Sequence, residues 1–146
     1  MSTVTSADGT TIDYERYGAG PAIIFIGGAT QYRGVDPVTT TTSRDLAAEG
    51  FTTIDYDRRG RGRSGDTAPY AQAREVEDIA ALIDAVGGSA TLYSSSSGAT
   101  IALAAASAGV GVARLALYEP PFFAGRDMAG QLARLRALVE IGRAHV

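Results

Sequence analysis

Cysteine and lysine are both missing from this 146-residue chain, and histidine occurs once, at His145. Without cysteine there is no disulfide, no thiolate nucleophile and no cysteine-based zinc site. That suits a reducing compartment, and a cytoplasmic location is expected. All 13 basic residues are arginine, a bias that, with abundant alanine and glycine, points to a G+C-rich bacterial gene. A surplus of positive charge is missing as well. The net charge of -3 leaves no basic face for nucleic acid and no polybasic patch for a membrane surface. No apolar run approaches the ~20 residues of a membrane span, and Met1-Ser2-Thr3-Val4 lacks the basic and apolar regions of a secretory leader. The expected partner is a small-molecule substrate, without nucleic acid, membrane, cofactor or metal. The residues that are present, 45% hydrophobic and 20% charged, have the balance of a globular protein. A chain of this length makes one domain at most and can bury roughly 68–70% of its unfolded surface.

Periodicity predicts strands alternating with helices. Thr3–Thr5 and Thr11–Tyr17 read as strands joined around Asp8-Gly9, a hairpin signal. The short apolar run 22–26, closed by Gly27-Gly28, is typical of a strand covered on both faces. Residues 29–42 read as loop, and Ser43–Glu49 as a short helix stopped by Gly50. Phe51–Tyr56 is the next strand, followed by an Arg/Gly-rich turn over 57–65. From Ala71, Val76, Ile79, Ala80, Ile83 and Val86 share one helical face. Ala90–Tyr93 is a strand, Gly98–Ala108 an alanine-rich helix, and Ala113–Tyr118 a further strand closed by Glu119-Pro120-Pro121. A last helical pattern places Met128, Leu132, Leu135 and Leu138 together. Such alternation implies an α/β fold, a mostly parallel sheet with helices on both faces.

Ser94-Ser95-Ser96-Ser97-Gly98 falls between a buried strand and a helix. A nucleophile elbow has a small residue two before the serine and glycine two after, in that same setting. Aligned on Gly98, the central serine is Ser96; Ser95 and Ser97 lack this flanking pattern. The helix that follows would aim its N-terminal amides where negative charge develops on an attacked carbonyl. The competing reading, a flexible Ser/Gly linker, would interrupt a well-formed strand–helix unit. Gly27-Gly28-Ala29, after the strand 22–26, stands where the elbow architecture takes its other oxyanion donor. Gly60-x-Gly62-x-x-Gly65 satisfies a dinucleotide fingerprint, but no helix opens there, and Asp84 lies in a helical pattern instead of at a strand end.

Four segments together resemble the N-terminal half of an α/β-hydrolase-fold protein: Ile24-Phe25-Ile26-Gly27-Gly28, the run from Asp55 to Ser64, Leu92–Gly98, and Leu115–Pro121. The resemblance covers about residues 3 to 140. It implies Ser96 as nucleophile, with the backbone N–H groups of Ala29 and Ser97 as the oxyanion hole. Two positions depart from the family pattern: Ser94 stands where glycine is usual, and Gly27 where histidine is common. The family's histidine comes late in the chain and its acid usually follows the seventh strand, whereas this sequence stops shortly after the sixth. His145 is not taken as the base, because Ile141-Gly142-Arg143-Ala144-His145-Val146 is what one frame of a common sequencing adapter encodes. Residues 1–140 are thus expected to be the N-terminal part of an α/β-hydrolase domain, and 141–146 an adapter artefact. Glu119, just after a strand, is the acid candidate that the chain contains. The implied activity is that of a serine hydrolase acting on an ester-like or amide-like small molecule through an acyl-enzyme, with this stretch inactive alone. A non-catalytic binding protein on the same fold is the alternative.

Overall fold

Alternation along each strand divides the side chains of one sheet into two sets with different partners. In the computed structural model, which describes residues 2–122 together with Gly130, Ala133 and Ala137, six strands form that sheet. They are β1 (Ser2–Thr5), β2 (Thr11–Tyr17), β3 (Ala22–Ile26), β4 (Thr52–Tyr56), β5 (Ala90–Ser95) and β6 (Val112–Tyr118), in spatial order β1-β2-β4-β3-β5-β6. β1 and β2 form an antiparallel hairpin and β2 runs antiparallel to β4, while β4, β3, β5 and β6 are mutually parallel. The hairpin turns at Gly9, whose φ of 85° suits a residue without a side chain.

On one face Ile12, Ile24, Ile54 and Leu92 are fully buried. They pack against Ile79, Leu82 and Ile83 of α2 (Gln72–Ala85) and Ile101, Ala102 and Ala105 of α3 (Ser97–Ser107). Each of these isoleucine and leucine side chains contributes about 1.5–3 kcal/mol relative to exposure. The opposite face of β4 meets α1 (Pro37–Ala48) through polar groups. Thr53 Oγ1 donates to the Ser43 carbonyl at 2.9 Å, and Thr40 Oγ1 donates to Asp55 Oδ2 at 2.7 Å. Burial raises the Asp55 pKa, and the Thr40 hydrogen bond opposes that rise. Helices therefore cover both faces, as the alternation implied.

Two helices differ from expectation. α1 begins at Pro37, not Ser43, so residues 37–42 are helical rather than loop. Asp36 caps it by accepting from Thr39 N–H at 3.2 Å, and Pro37 occupies the first turn, where its missing N–H costs nothing. This Asp-Pro start outweighs the low helix propensity of four threonines. The buried stripe of α2 also includes Glu75 and Asp78, which hydrophobic periodicity leaves out. The pattern on Met128, Leu132, Leu135 and Leu138, and His145, lie outside the described residues. No helix among the described residues is long and apolar enough to cross a membrane.

Glu75 and Asp78 are buried because the Arg/Gly-rich segment needs them. Arg58 donates Nε to Glu75 Oε2 and Nη2 to Oε1, both at 2.6 Å. Arg59 makes the same fork with Asp78 at 2.8 and 2.7 Å and reaches Asp8 in the hairpin at 2.8 Å. Burial works against the Arg58 charge, but the Glu75 bond outweighs it and raises the pKa. The segment is thus bolted to α2 and to the β1–β2 turn.

Two outcomes follow from this architecture. Glu75→Ala leaves Arg58 buried without a counter-charge, and should destabilise the fold by about 3–5 kcal/mol. Hydrogen exchange is expected to show protection lost over residues 57–65 and 72–85; unchanged protection would contradict the clamp. Second, β6 pairs only with β5 among the described residues, and Leu115 and Tyr118 on it are 37% and 60% exposed. Such an edge templates further pairing, so residues 1–146 alone should self-associate in light scattering. A monodisperse, cooperatively melting monomer would speak against that expectation.

Candidate active site

β5 delivers Ser95 to the C-terminal edge of the sheet, and α3 starts at Ser97. Between them Ser96 adopts φ 48°, ψ −123°, a conformation that costs a side-chain-bearing residue about 1–3 kcal/mol. The surroundings enforce it: Ser96 N–H donates to the Tyr118 carbonyl at 2.9 Å, and the Ser96 carbonyl accepts from Ala99 N–H at 3.0 Å. The Ser96 side chain is exposed. Small neighbours make the turn possible. A Cβ on Gly98 would lie 2.7 Å from the Gly27 carbonyl oxygen and closer still to that of Ile26, so α3 abuts the end of β3 there. Ser94 is fully buried, and its Oγ has no hydrogen-bond partner among the described residues. The turn therefore accepts a serine two positions before Ser96, at the desolvation cost of one unpaired hydroxyl, about 1–3 kcal/mol.

Beyond β3, the loop through Gly27, Gly28 and Ala29 faces the elbow. Gln31 ties the two together: its Oε1 accepts from Gly28 N–H and from Ser95 Oγ, the latter at 3.0 Å, while its Nε2 donates to Asp36 Oδ2 at 2.9 Å. A Cβ on Gly28 would come within 3.5 Å of the Ser96 Cβ. Among the described residues neither Ala29 N–H nor Ser97 N–H has a hydrogen-bond acceptor. Both residues flank the approach to Ser96, and a cleft of about 400 Å³ is lined by Ala29, Thr30, Ser95, Ser96, Tyr118 and Glu119.

Glu119 lies on that cleft and is, with Ser96, the other described non-glycine residue at positive φ, 49°. The ladder between β5 and β6 pairs Ser95 with Tyr118, which sets the two strained residues at adjacent strand ends. The structure thus brings Ser96, Ala29, Ser97 and Glu119 to one end of the sheet. His145 lies outside the described residues.

Sequence patterns did not single out Arg58, Arg61, Gln31 or Glu75 for this site. Arg58 Nη1 donates to the carbonyls of Gly27 and Gly28 at 3.0 and 3.3 Å and to Ser97 Oγ at 3.3 Å. Arg61 Nη1 donates to the same Gly28 carbonyl at 2.7 Å. Burial lowers the Arg61 pKa, and the neighbouring Arg58 charge lowers it further.

The fingerprint glycines 60, 62 and 65 do not open a helix; the next helix starts at Gln72. Gly62 has φ 52°, and a Cβ there would sit 2.5 Å from Asp57 Cγ. That close approach accompanies a carboxylate accepting from Arg33 N–H at 2.8 Å and Arg63 N–H at 3.0 Å. Arg58 and Arg59 are committed to carboxylates, so this part of the segment is a structural clamp. No cluster among the described residues has the side chains to hold a metal ion.

Comparison with known proteins agrees with this fold. The model of the alpha/beta hydrolase family matches residues 23–145. An alpha/beta hydrolase from Sphaerobacter thermophilus is 47% identical with a TM-score of 0.82, over 97% of this chain and 55% of that one. An esterase from Exiguobacterium antarcticum is 27% identical with a TM-score of 0.73, over 86% of this chain and 48% of that one. The bottromycin epimerase BotH is 30% identical with a TM-score of 0.67, over 80% of this chain and 47% of that one. No curated protein sequence matches. The chain spans about half the length of these solved structures. With this fold, this elbow geometry and the family match over most of its length, the chain belongs to the alpha/beta hydrolase family.

Proposed function

We propose that this chain carries the nucleophile and oxyanion hole of a serine hydrolase acting on an ester-like or amide-like small molecule. The observation that carries this reading is the exposed Ser96 at φ 48° in the turn between β5 and α3. Strain of that kind persists where surrounding structure over-determines it, which is common at functional sites. Resemblance to the Exiguobacterium antarcticum esterase supports an ester substrate.

In the proposed reaction Ser96 Oγ attacks the substrate carbonyl carbon while a histidine takes its proton. The family resemblance implies that this histidine and the usual acid come late in the fold; Glu119 is the candidate acid on the cleft. The carbonyl π electrons move to oxygen, and the alkoxide accepts from Ala29 N–H and Ser97 N–H. The positive end of α3 adds to that stabilisation. Collapse expels the alcohol or amine, which takes its proton from the histidine and leaves an acyl group on Ser96. Water, activated by the same histidine, then releases the acid.

A second reading keeps the fold without hydrolysis. The similarity to an epimerase over 80% of the chain supports it, and a fold alone does not fix a reaction.

Fluorophosphonate labelling separates the readings. The full-length protein should label, and Ser96→Ala in it should abolish labelling. Labelling that survives the substitution would remove Ser96 from its role, and an unlabelled wild type would favour the second reading. Residues 1–146 alone should turn over an activated ester hardly above background. Oxyanion donors contribute about 10²–10³ each only when held rigidly. Strong activity in that stretch would instead point to His145.

A further inference from the structure

Two successive glycines leave the backbone direction of the 27–29 loop unconstrained by local sterics. Hydrogen bonds must therefore fix it, and the way they do so is selective. The peptide joining Gly27 to Gly28 is gripped at both ends: Arg58 Nη1 donates to its carbonyl at 3.0 Å, and Gln31 Oε1 accepts from its N–H. The next peptide, joining Gly28 to Ala29, is gripped at one end. Its carbonyl accepts from Arg61 Nη1 at 2.7 Å, Arg58 Nη1 at 3.3 Å and, more weakly, the Gln31 N–H at 3.4 Å, whereas the Ala29 N–H has no acceptor among the described residues. A trans peptide is planar, with its N–H pointing opposite to its C=O. Holding the carbonyl therefore aims the N–H.

We propose that Arg58 and Arg61 are positioning residues, whose shared hold on the Gly28 carbonyl aims and polarises the Ala29 N–H as an oxyanion donor. This inference rests on the serine-hydrolase reading of the site. The two guanidiniums are unequal in kind. Arg58 is immobilised by its fork with Glu75, and that carboxylate neutralises it. Arg61 is half-buried and pairs with no carboxylate among the described residues. Arg58 therefore supplies geometry, and Arg61 supplies geometry and charge. A cation on the carbonyl oxygen draws electron density along the amide and strengthens its N–H as a donor. The gain is largest when the substrate oxygen becomes an alkoxide, so it appears in the transition state more than in the bound substrate.

The test uses the full-length protein and an activated ester. Arg61→Met is expected to lower kcat about 10- to 100-fold with KM unchanged, less than the 10²–10³ lost when a donor itself is deleted. A boronic acid that forms a tetrahedral adduct on the serine should bind weaker by the same factor. Arg61→Gln keeps a donor to the Gly28 carbonyl without the charge and should fall between wild type and Arg61→Met; Arg61→Lys should recover part of kcat. Because Arg58→Met alone would strand Glu75, the pair is tested as Arg58→Met with Glu75→Met, with the same signature expected. An unchanged kcat in Arg61→Met would overturn the proposal. So would a rise in KM alone, which would make Arg61 a substrate contact, or a kcat loss without matching loss of boronate affinity. Failure of the underlying reading shows separately, as labelling that persists in Ser96→Ala.

Discussion

Arg58 is a charge buried in the interior, and a buried charge is tolerable only with a counter-charge and a full set of acceptors. Glu75 provides the first through two bonds of 2.6 Å, and the carbonyls of Gly27 and Gly28 use the remaining donor. One side chain thereby fixes three parts of the molecule: the segment after β4, the first turn of α2, and the loop after β3. Arg59 repeats the arrangement one residue on, with Asp78 and with Asp8 in the hairpin. The antiparallel end of the sheet and the helix layer are thus held in register by ion pairs as well as by the aliphatic core. The same clamp reaches Ser97 Oγ at 3.3 Å, so the scaffold and the candidate site are not separable.

The elbow shows how such a scaffold sustains strain. Ser96 occupies a backbone conformation that a serine adopts unwillingly, and it stays there because its N–H and carbonyl are both engaged and α3 is pressed against the end of β3 at Gly98. Gln31 then links Ser95 to Gly28 across the cleft. A polar amide bridging two backbone segments costs little when both its ends are satisfied, and Asp36 satisfies the other end. Asp36 also caps α1, so a helix on the far face of the sheet is connected to the site by one carboxylate.

What could be read from the sequence was whatever depends on local pattern. The strand at 22–26, the Asp8-Gly9 turn and the serine in its strand–turn–helix setting each follow from residues close together in the chain. The start of α1 was also local, in Asp36-Pro37, but four threonines obscured it. Glu75 and Asp78 were illegible for a different reason. A charged residue in a helix reads as a solvated face unless its counter-charge is known, and Arg58 and Arg59 lie 17 and 19 residues earlier. Gln31 was hidden likewise: its partner Ser95 is 64 residues away. The arginines that aim the backbone of the site reach partners far along the chain, and no periodicity reports them.

The site is also coupled to the exposed edge of the sheet. Ser96 N–H is held by the Tyr118 carbonyl, and Tyr118 ends β6. The strand that restrains the strained serine is therefore an edge strand, paired on a single side among the described residues. A strand with one partner frays more readily than one with two, because each of its ladder bonds has only one neighbour to enforce it. Any displacement of β6 would move the Tyr118 carbonyl, relax Ser96 and shift Glu119, which follows directly. Pairing along the free side of β6 would hold all three. The geometry of Ser96 and Glu119 thus depends on how β6 is held as much as on the residues that line the cleft.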